Sequence, residues 1–231
     1  MRIIPTIEKY LIEIMADEFH RFTSWDNCHL AFSASQQSEI HSLELAFYLA
    51  SWGMYRGSSG LLQKNHLIHR GAVDILFSNE NQKLKCNSKN DVVRGNIPDI
   101  LDLKIKLANH YRKIYFTKGE EKPKPISTTD TLLSKILLGT LGCVPAFDRY
   151  FIDGLKEVEI QNKVFDDASL NELFDFVEEN RTEIKDAQKL ILTKIKKFYP
   201  IMKILDMYFW QIGYDKELMQ KQEKEISDED S

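Results

Sequence analysis

Residues Thr131–Lys156 read TLLSKILLGTLGCVPAFDRYFIDGLK. Six of the ten positions from Leu132 to Leu141 are Leu or Ile. Gly139 and Gly142 interrupt the run, Pro145 bends it, and Asp148 with Arg149 arrives behind it. A helix without a wet face is a central one, so the spacing predicts a buried helix over 132–142. A carboxylate delivered from such surroundings either caps a helix and pairs with a cation, or does chemistry.

Working outward, Ser38–Tyr55 is the second run that is nearly apolar all round after Glu44, and it predicts a second central helix. Ile7, Leu11, Ile14, Met15, Phe19 and Phe22 recur at helical spacing and predict an amphipathic helix over 6–22. Residues 23–37 read as a connection. Arg-Gly-Ser-Ser-Gly at 56–60 stops or kinks the second helix, and Leu61–Phe77 resumes as another. Residues 78–96 are polar and weakly periodic, a loop or a sub-boundary between domains. Pro98 suits a helix start, and its periodic residues run to about Phe116.

The Lys-Pro pairs in 117–129 predict a rigid, solvated connection. Ser127–Asp130 and Ser169–Glu172 have capping-box spacing ahead of apolar helices. Further helices are expected at 183–199 and 201–213, the last closed by Gly213. Strand signals are confined to Leu84–Cys86 and Val158–Ile160. The expected fold is all-α: one compact domain over 1–214, about eight helices around the two apolar ones. An acidic, disordered tail is expected over 215–231.

The chain has 231 residues, 43% apolar and 29% charged, with ten Gly and six Pro. These values are ordinary for a globular protein, and few breakers favour long helices. Net charge is −4, and 215–231 alone, with three Lys against seven acids, carries −4. The remainder is therefore neutral, which removes any global electrostatic drive toward nucleic acid and leaves only local ones. Cys28, Cys86 and Cys143 lie far apart and read as reduced thiols. With no signal-like N-terminus and no span long enough for a bilayer, the expectation is a cytoplasmic protein away from membranes.

Four constellations bear on function. The first is SKILLGTLGCVPAFDRYF, which resembles part of the helix-hairpin-helix DNA glycosylase superfamily over about residues 131–155. The matching positions are Ser134, Lys135, the apolar 136–141, Pro145, Asp148, Tyr150 and Phe151. The resemblance implies a helical layout in which Asp148 promotes base excision. Upstream, KPKPISTTD holds none of the family's hairpin glycines, and Lys135 lies past the position of its lysine. Lys135 is kept as an anion-binding candidate.

Second is Trp52–Gly60, WGMYRGSSG, where two small-residue breaks flank Arg56. A guanidinium there suits phosphate or carboxylate, or an internal acid within 148–153. Third is the basic stretch Lys104–Lys124, seven Lys or Arg against two Glu, with Tyr111, Tyr115 and Phe116 interleaved. Arg112 and Lys113 would neutralise phosphates there while Tyr111 and Tyr115 stack bases. Fourth is Tyr208–Tyr214, YFWQIGY, an aromatic helix end that suits a core or an interface.

His66 and His69 share a helix face, but two ligands do not make a zinc site. There is no CxxC and no HExxH, and neither a metal nor a cofactor is expected. Three functional readings follow, in this order. One is a non-catalytic interaction protein working through a protein partner or self-association. The next is a nucleic-acid-associated protein with a glycosylase-like layout. The third is a small-molecule enzyme using Arg56 for an anion and Asp148 as base.

Overall fold

The computed structural model describes residues 2–119 and 122–229, with side chains through residue 225. The fold is all-α. Helix α1 is Ile3–Ala16, α2 Thr23–Ala31 and α3 Ser38–Ser51. Two 3-10 turns, Leu61–Gln63 and His66–His69, lead into α4 (Arg70–Leu76) and α5 (Asn79–Gln82). A third turn, Arg94–Asn96, opens α6 (Ile97–Arg112). Then follow α7 (Asp130–Thr140), α8 (Arg149–Glu157), α9 (Asp167–Glu179), α10 (Arg181–Ile195) and α11 (Ile201–Glu229). The helix count thus exceeds the expected eight.

As the sequence predicts, α7 is central: every residue from Leu132 to Thr140 is buried. Its N-terminus is capped by Thr129, whose side chain accepts from the Leu132 N–H, in place of the box read at Ser127. Its C-terminus closes on Gly142 (φ +70°), whose N–H reaches the Leu137 carbonyl at 2.9 Å. A left-handed residue is needed there, and glycine meets it without a Cβ clash. Helix α9 is capped by Asp166 rather than Ser169, because the Asp166 carboxylate is the group that reaches the Ser169 N–H.

Helix α11 departs furthest from expectation. Gly213 does not end it; the helix runs on to Glu229. The tail expected to be disordered over 215–231 is therefore helical as far as Glu229, and its last two residues fall outside the described residues. Gly213 serves a close approach instead. A Cβ on Gly213 would run into the Tyr150 carbonyl, and one on Gly154 into the Phe209 carbonyl. Helices α8 and α11 therefore cross backbone to backbone, each contributing the glycine at the other's carbonyl.

Four other expectations are corrected. Residues 23–37 hold a helix, α2, which buries Trp25 and Cys28. Leu61–Phe77 is two 3-10 turns and the short α4. The one β-ladder among the described residues pairs β1 (Tyr115–Phe116) with β2 (Lys124–Pro125), whereas 84–86 and 158–160 form no strand. Finally, α3 is shorter than read and is not buried all round: Ile40, Leu43 and Phe47 are 52%, 54% and 60% exposed.

Segment 78–96, expected as a loop or sub-boundary, holds α5 and the Arg94–Asn96 turn, and Leu84, Lys85 and Cys86 within it are buried. The Lys85 ammonium donates to the carbonyls of His29 (2.9 Å) and Thr140 (2.6 Å) and to His29 Nδ1 (3.2 Å). Those carbonyls lie in the last turns of α2 and α7, where helix dipoles favour a cation. Lys85 thus ties two core helices together. Cys28, Cys86 and Cys143 are free buried thiols around it.

Candidate functional site

The site lies where α7, the start of α8, α11 and the end of α3 meet. Asp148 is the N-cap of α8: one carboxylate oxygen accepts from the Phe151 N–H at 3.1 Å. The other accepts from Lys135 Nζ at 2.8 Å. The side chains of this pair are 4% (Lys135) and 14% (Asp148) exposed. Lys135 sits on the buried face of α7, which delivers its ammonium from inside the core.

The loop 141–148 that carries Asp148 is fixed from two sides. From α7, Ser134 Oγ accepts the Phe147 N–H (2.8 Å) and the Thr131 hydroxyl donates to the Phe147 carbonyl (2.9 Å). From α11, Asp206 accepts the Ala146 N–H at 3.0 Å. Asp206 also accepts from Lys203 Nζ at 3.0 Å, a pair only 7% and 1% exposed. Two buried lysine–aspartate pairs thus stand in one environment, the first at Asp148 and the second holding its loop.

Aromatic rings wall this environment. Lys135 Nζ is 4.9 Å and Lys203 Nζ 5.9 Å from the Trp52 ring centre. Phe22 stacks on Trp52 (5.5 Å, 6° between planes), and Trp210 meets it edge-on (5.9 Å, 89°). The exposed Arg21 guanidinium lies 5.2 Å from Trp52. Cations over indole faces gain from the ring quadrupole, more so when desolvated. Trp52 Nε1 is buried and has no hydrogen-bond partner. The walls leave a cavity of about 10 Å³, room for about one water molecule. Burial first, and then the charge of Asp206, raise Tyr10 and Tyr48 well above the ordinary phenol range, so both stay neutral.

The other expected site residues do not join this cluster. Arg56 is exposed, and the cation beside Asp148 is Lys135; the pairing of Arg56 with an acid of 148–153 is corrected. Asp153 pairs with Lys156 (2.7 Å), and Arg149 pairs with Glu217. Tyr111 is a core residue whose hydroxyl bonds His69 Nδ1 at 2.6 Å, so it offers no face to a base. Tyr115 and Lys113 are exposed, and Arg112 Nε donates to Thr128 Oγ1 at 3.0 Å. Within the same stretch Lys104 pairs with Asp130 (2.7 Å), and Lys106 pairs with Glu80 (2.7 Å) and Asp102 (2.8 Å). Acids distant in sequence therefore offset part of a stretch that looks basic when read linearly.

Sequence reasoning missed the Lys203–Asp206 pair and read Trp210 only as part of an aromatic helix end. Their signal was present: a lysine and an aspartate three apart inside the apolar run MKILDMYFW share one helix face. Among the described residues no group of three or more His, Cys, Asp or Glu could hold a metal ion, and no helix is long and apolar enough to cross a membrane. No family model, curated protein or solved structure matches the chain.

Proposed function

We propose that the protein is nucleic-acid-associated and acts on a base drawn out of its stack, with Asp148 and Lys135 at the reacting centre. The observation that carries this reading is the Lys135–Asp148 pair, 2.8 Å apart and walled by Trp52, at the first turn of α8. Burying an ion pair stabilises a fold no better than apolar side chains of the same size. Two such pairs around one cavity are therefore better explained by chemistry than by stability. A carboxylate there would stabilise the positive charge that grows on a sugar as its base departs. The lysine would protonate the departing base, a water molecule would add to the sugar carbon and return a proton to the lysine, and the indoles would stack on the base. The glycosylase resemblance of residues 131–155 points the same way.

The cavity as it stands holds no base, so Trp52 must swing aside for one to enter, which fits extrusion into a pocket that opens on binding. Trp52 follows the last turn of α3 and is itself followed by Gly53 at φ +70°, a natural pivot.

The test is base release from oligonucleotides carrying damaged or mismatched bases, with nucleic-acid binding followed by anisotropy as salt is raised. Expected are binding that weakens steeply with salt and release lost in Asp148→Asn, a variant whose asparagine keeps the helix cap. Absence of both binding and release in the unaltered chain overturns the reading.

A second reading, a protein that works through a partner, is favoured by a separate observation: Ile40, Leu43 and Phe47 stand in solvent along one face of α3.

A further inference from the structure

Helix α3 has two faces. Leu45, Tyr48 and Leu49 point into the core, while Ile40, Leu43, Glu44 and Phe47 follow the i, i+3, i+4, i+7 spacing of one outer stripe. The three apolar members are each more than half exposed. Beside the stripe, Leu30 and Ala31 at the end of α2 and Ala34 just beyond it form the far bank of a shallow groove of about 490 Å³, and Glu44 lines its near bank. Leu30 is itself 73% exposed. Single exposed apolar residues need no explanation, but a helical stripe continued across a groove does.

Glu44 supplies the second observation. It is half-buried within this apolar ground, and among the described residues its side chain has neither an ion-pair nor a hydrogen-bond partner. The same holds for the exposed Glu39 five residues earlier. Neither helix that lines the groove carries a Lys or Arg, α2 reading TSWDNCHLA and α3 SEIHSLELAFYLAS, and His41 is buried with both ring nitrogens on backbone carbonyls.

We infer that this groove receives an amphipathic helix of a partner protein whose apolar face carries a Lys or Arg opposite Glu44. Apolar anchors at the stripe would supply affinity, and the cation would fix register by pairing with a carboxylate that has no other partner. A second copy fits poorly, since pairing α3 with itself sets Glu39 and Glu44 against like charges. Another exposed apolar patch, Ile12 and Met15 of α1 with Phe19 just beyond its end, is flanked by Glu8, Glu13 and Glu18 and meets the same objection. An anionic lipid surface is repelled for the same reason. The inference specifies the partner of the interaction reading and is independent of chemistry at Asp148.

Three designed helical peptides, identical except for Lys, Gln or Glu at one central position of a leucine face, provide the probe. Their affinities for the full chain are measured by anisotropy alongside Glu44→Gln and Phe47→Ser. Both positions lie on the outer face, and thermal melts confirm that the variants fold. Expected is the order Lys over Gln over Glu, with about tenfold between Lys and Glu. Glu44→Gln should erase that order, and Phe47→Ser should weaken all three peptides. Equal binding of the three, lost in Phe47→Ser, leaves an apolar docking face but overturns the cationic partner. Binding insensitive to Phe47, or none, overturns the docking face itself. A dimer that Phe47→Ser converts to monomer assigns the face to a second copy and also overturns the inference.

Discussion

Asp148 makes two kinds of contact, and each can be removed separately. Asparagine at 148 keeps the cap on α8 but leaves the Lys135 ammonium buried without an anion. Stranding one partner of a buried pair costs about 3–5 kcal/mol. Lys135→Met strands Asp148 instead, at lower cost because Asp148 still accepts from the Phe151 N–H and is the more exposed partner. The double variant Lys135→Met/Asp148→Asn is expected to be more stable than the sum of the single losses by about 1–3 kcal/mol. Urea unfolding of the four proteins measures this, and strict additivity would mean the two groups are not coupled. At this scale the sequence singled out Asp148 and Lys135, but as separate groups. Their spacing of 13 along the chain becomes 2.8 Å only because the loop 141–148 folds back on α7.

Among the elements, the crossing of α8 and α11 is the most demanding. Alanine at 154 places a methyl against the Phe209 carbonyl, a backbone atom that cannot turn away as a side chain can. Gly154→Ala is expected to cost more than the 1–3 kcal/mol usual for an overpacked core. Alanine at Gly57, where an added Cβ meets nothing, should change stability far less. Thermal unfolding of both variants checks the contrast. Because the crossing positions the Lys203–Asp206 pair against loop 141–148, Gly154→Ala should also loosen Asp148. The sequence exposed the helices themselves, since their 3.6-residue period is local. It misassigned Gly213 because a glycine that closes a helix and a glycine that admits a neighbouring backbone look alike without the neighbour. It missed α2 because the polar residues of TSWDNCHLA hide a short helix whose burial of Trp25 and Cys28 comes from tertiary packing.

For the whole molecule, buried titratable groups set the pH range of stability. Burial, the leading cause, lowers His29 and His69 from 6.5 to about 3. Between those values the unfolded chain binds protons that the folded chain refuses. Stability is thus present above 6.5 and lost as pH falls toward 3, at a limiting slope of about 1.4 kcal/mol per pH unit for each histidine. On the alkaline side two effects compete. Burial lowers Lys85 from 10.5 to about 8, which adds stability as pH rises through that window. Burial also raises Cys28, Cys86 and Cys143 above their ordinary 9.0, so the unfolded chain loses thiol protons that the folded chain keeps. Three thiols outweigh one amine, and stability should fall above about pH 9. Denaturant unfolding across pH is expected to show a maximum near neutrality. In Lys85→Met the alkaline decline should steepen by about one proton's worth.

The sequence by itself determined that the chain is helical and that the 132–142 segment lies at its centre. Those properties follow from apolar periodicity and from glycine and proline placement, which act over a few residues. Tertiary structure alone decided which charges meet. It turned Arg56 outward, gave Asp148 to Lys135, put Tyr111 against His69, and divided the residues of α3 between core and solvent. The physical reason is that an ion pair or a buried face is a relation between distant segments. Its energy depends on desolvation, and no linear spacing encodes the burial that produces it.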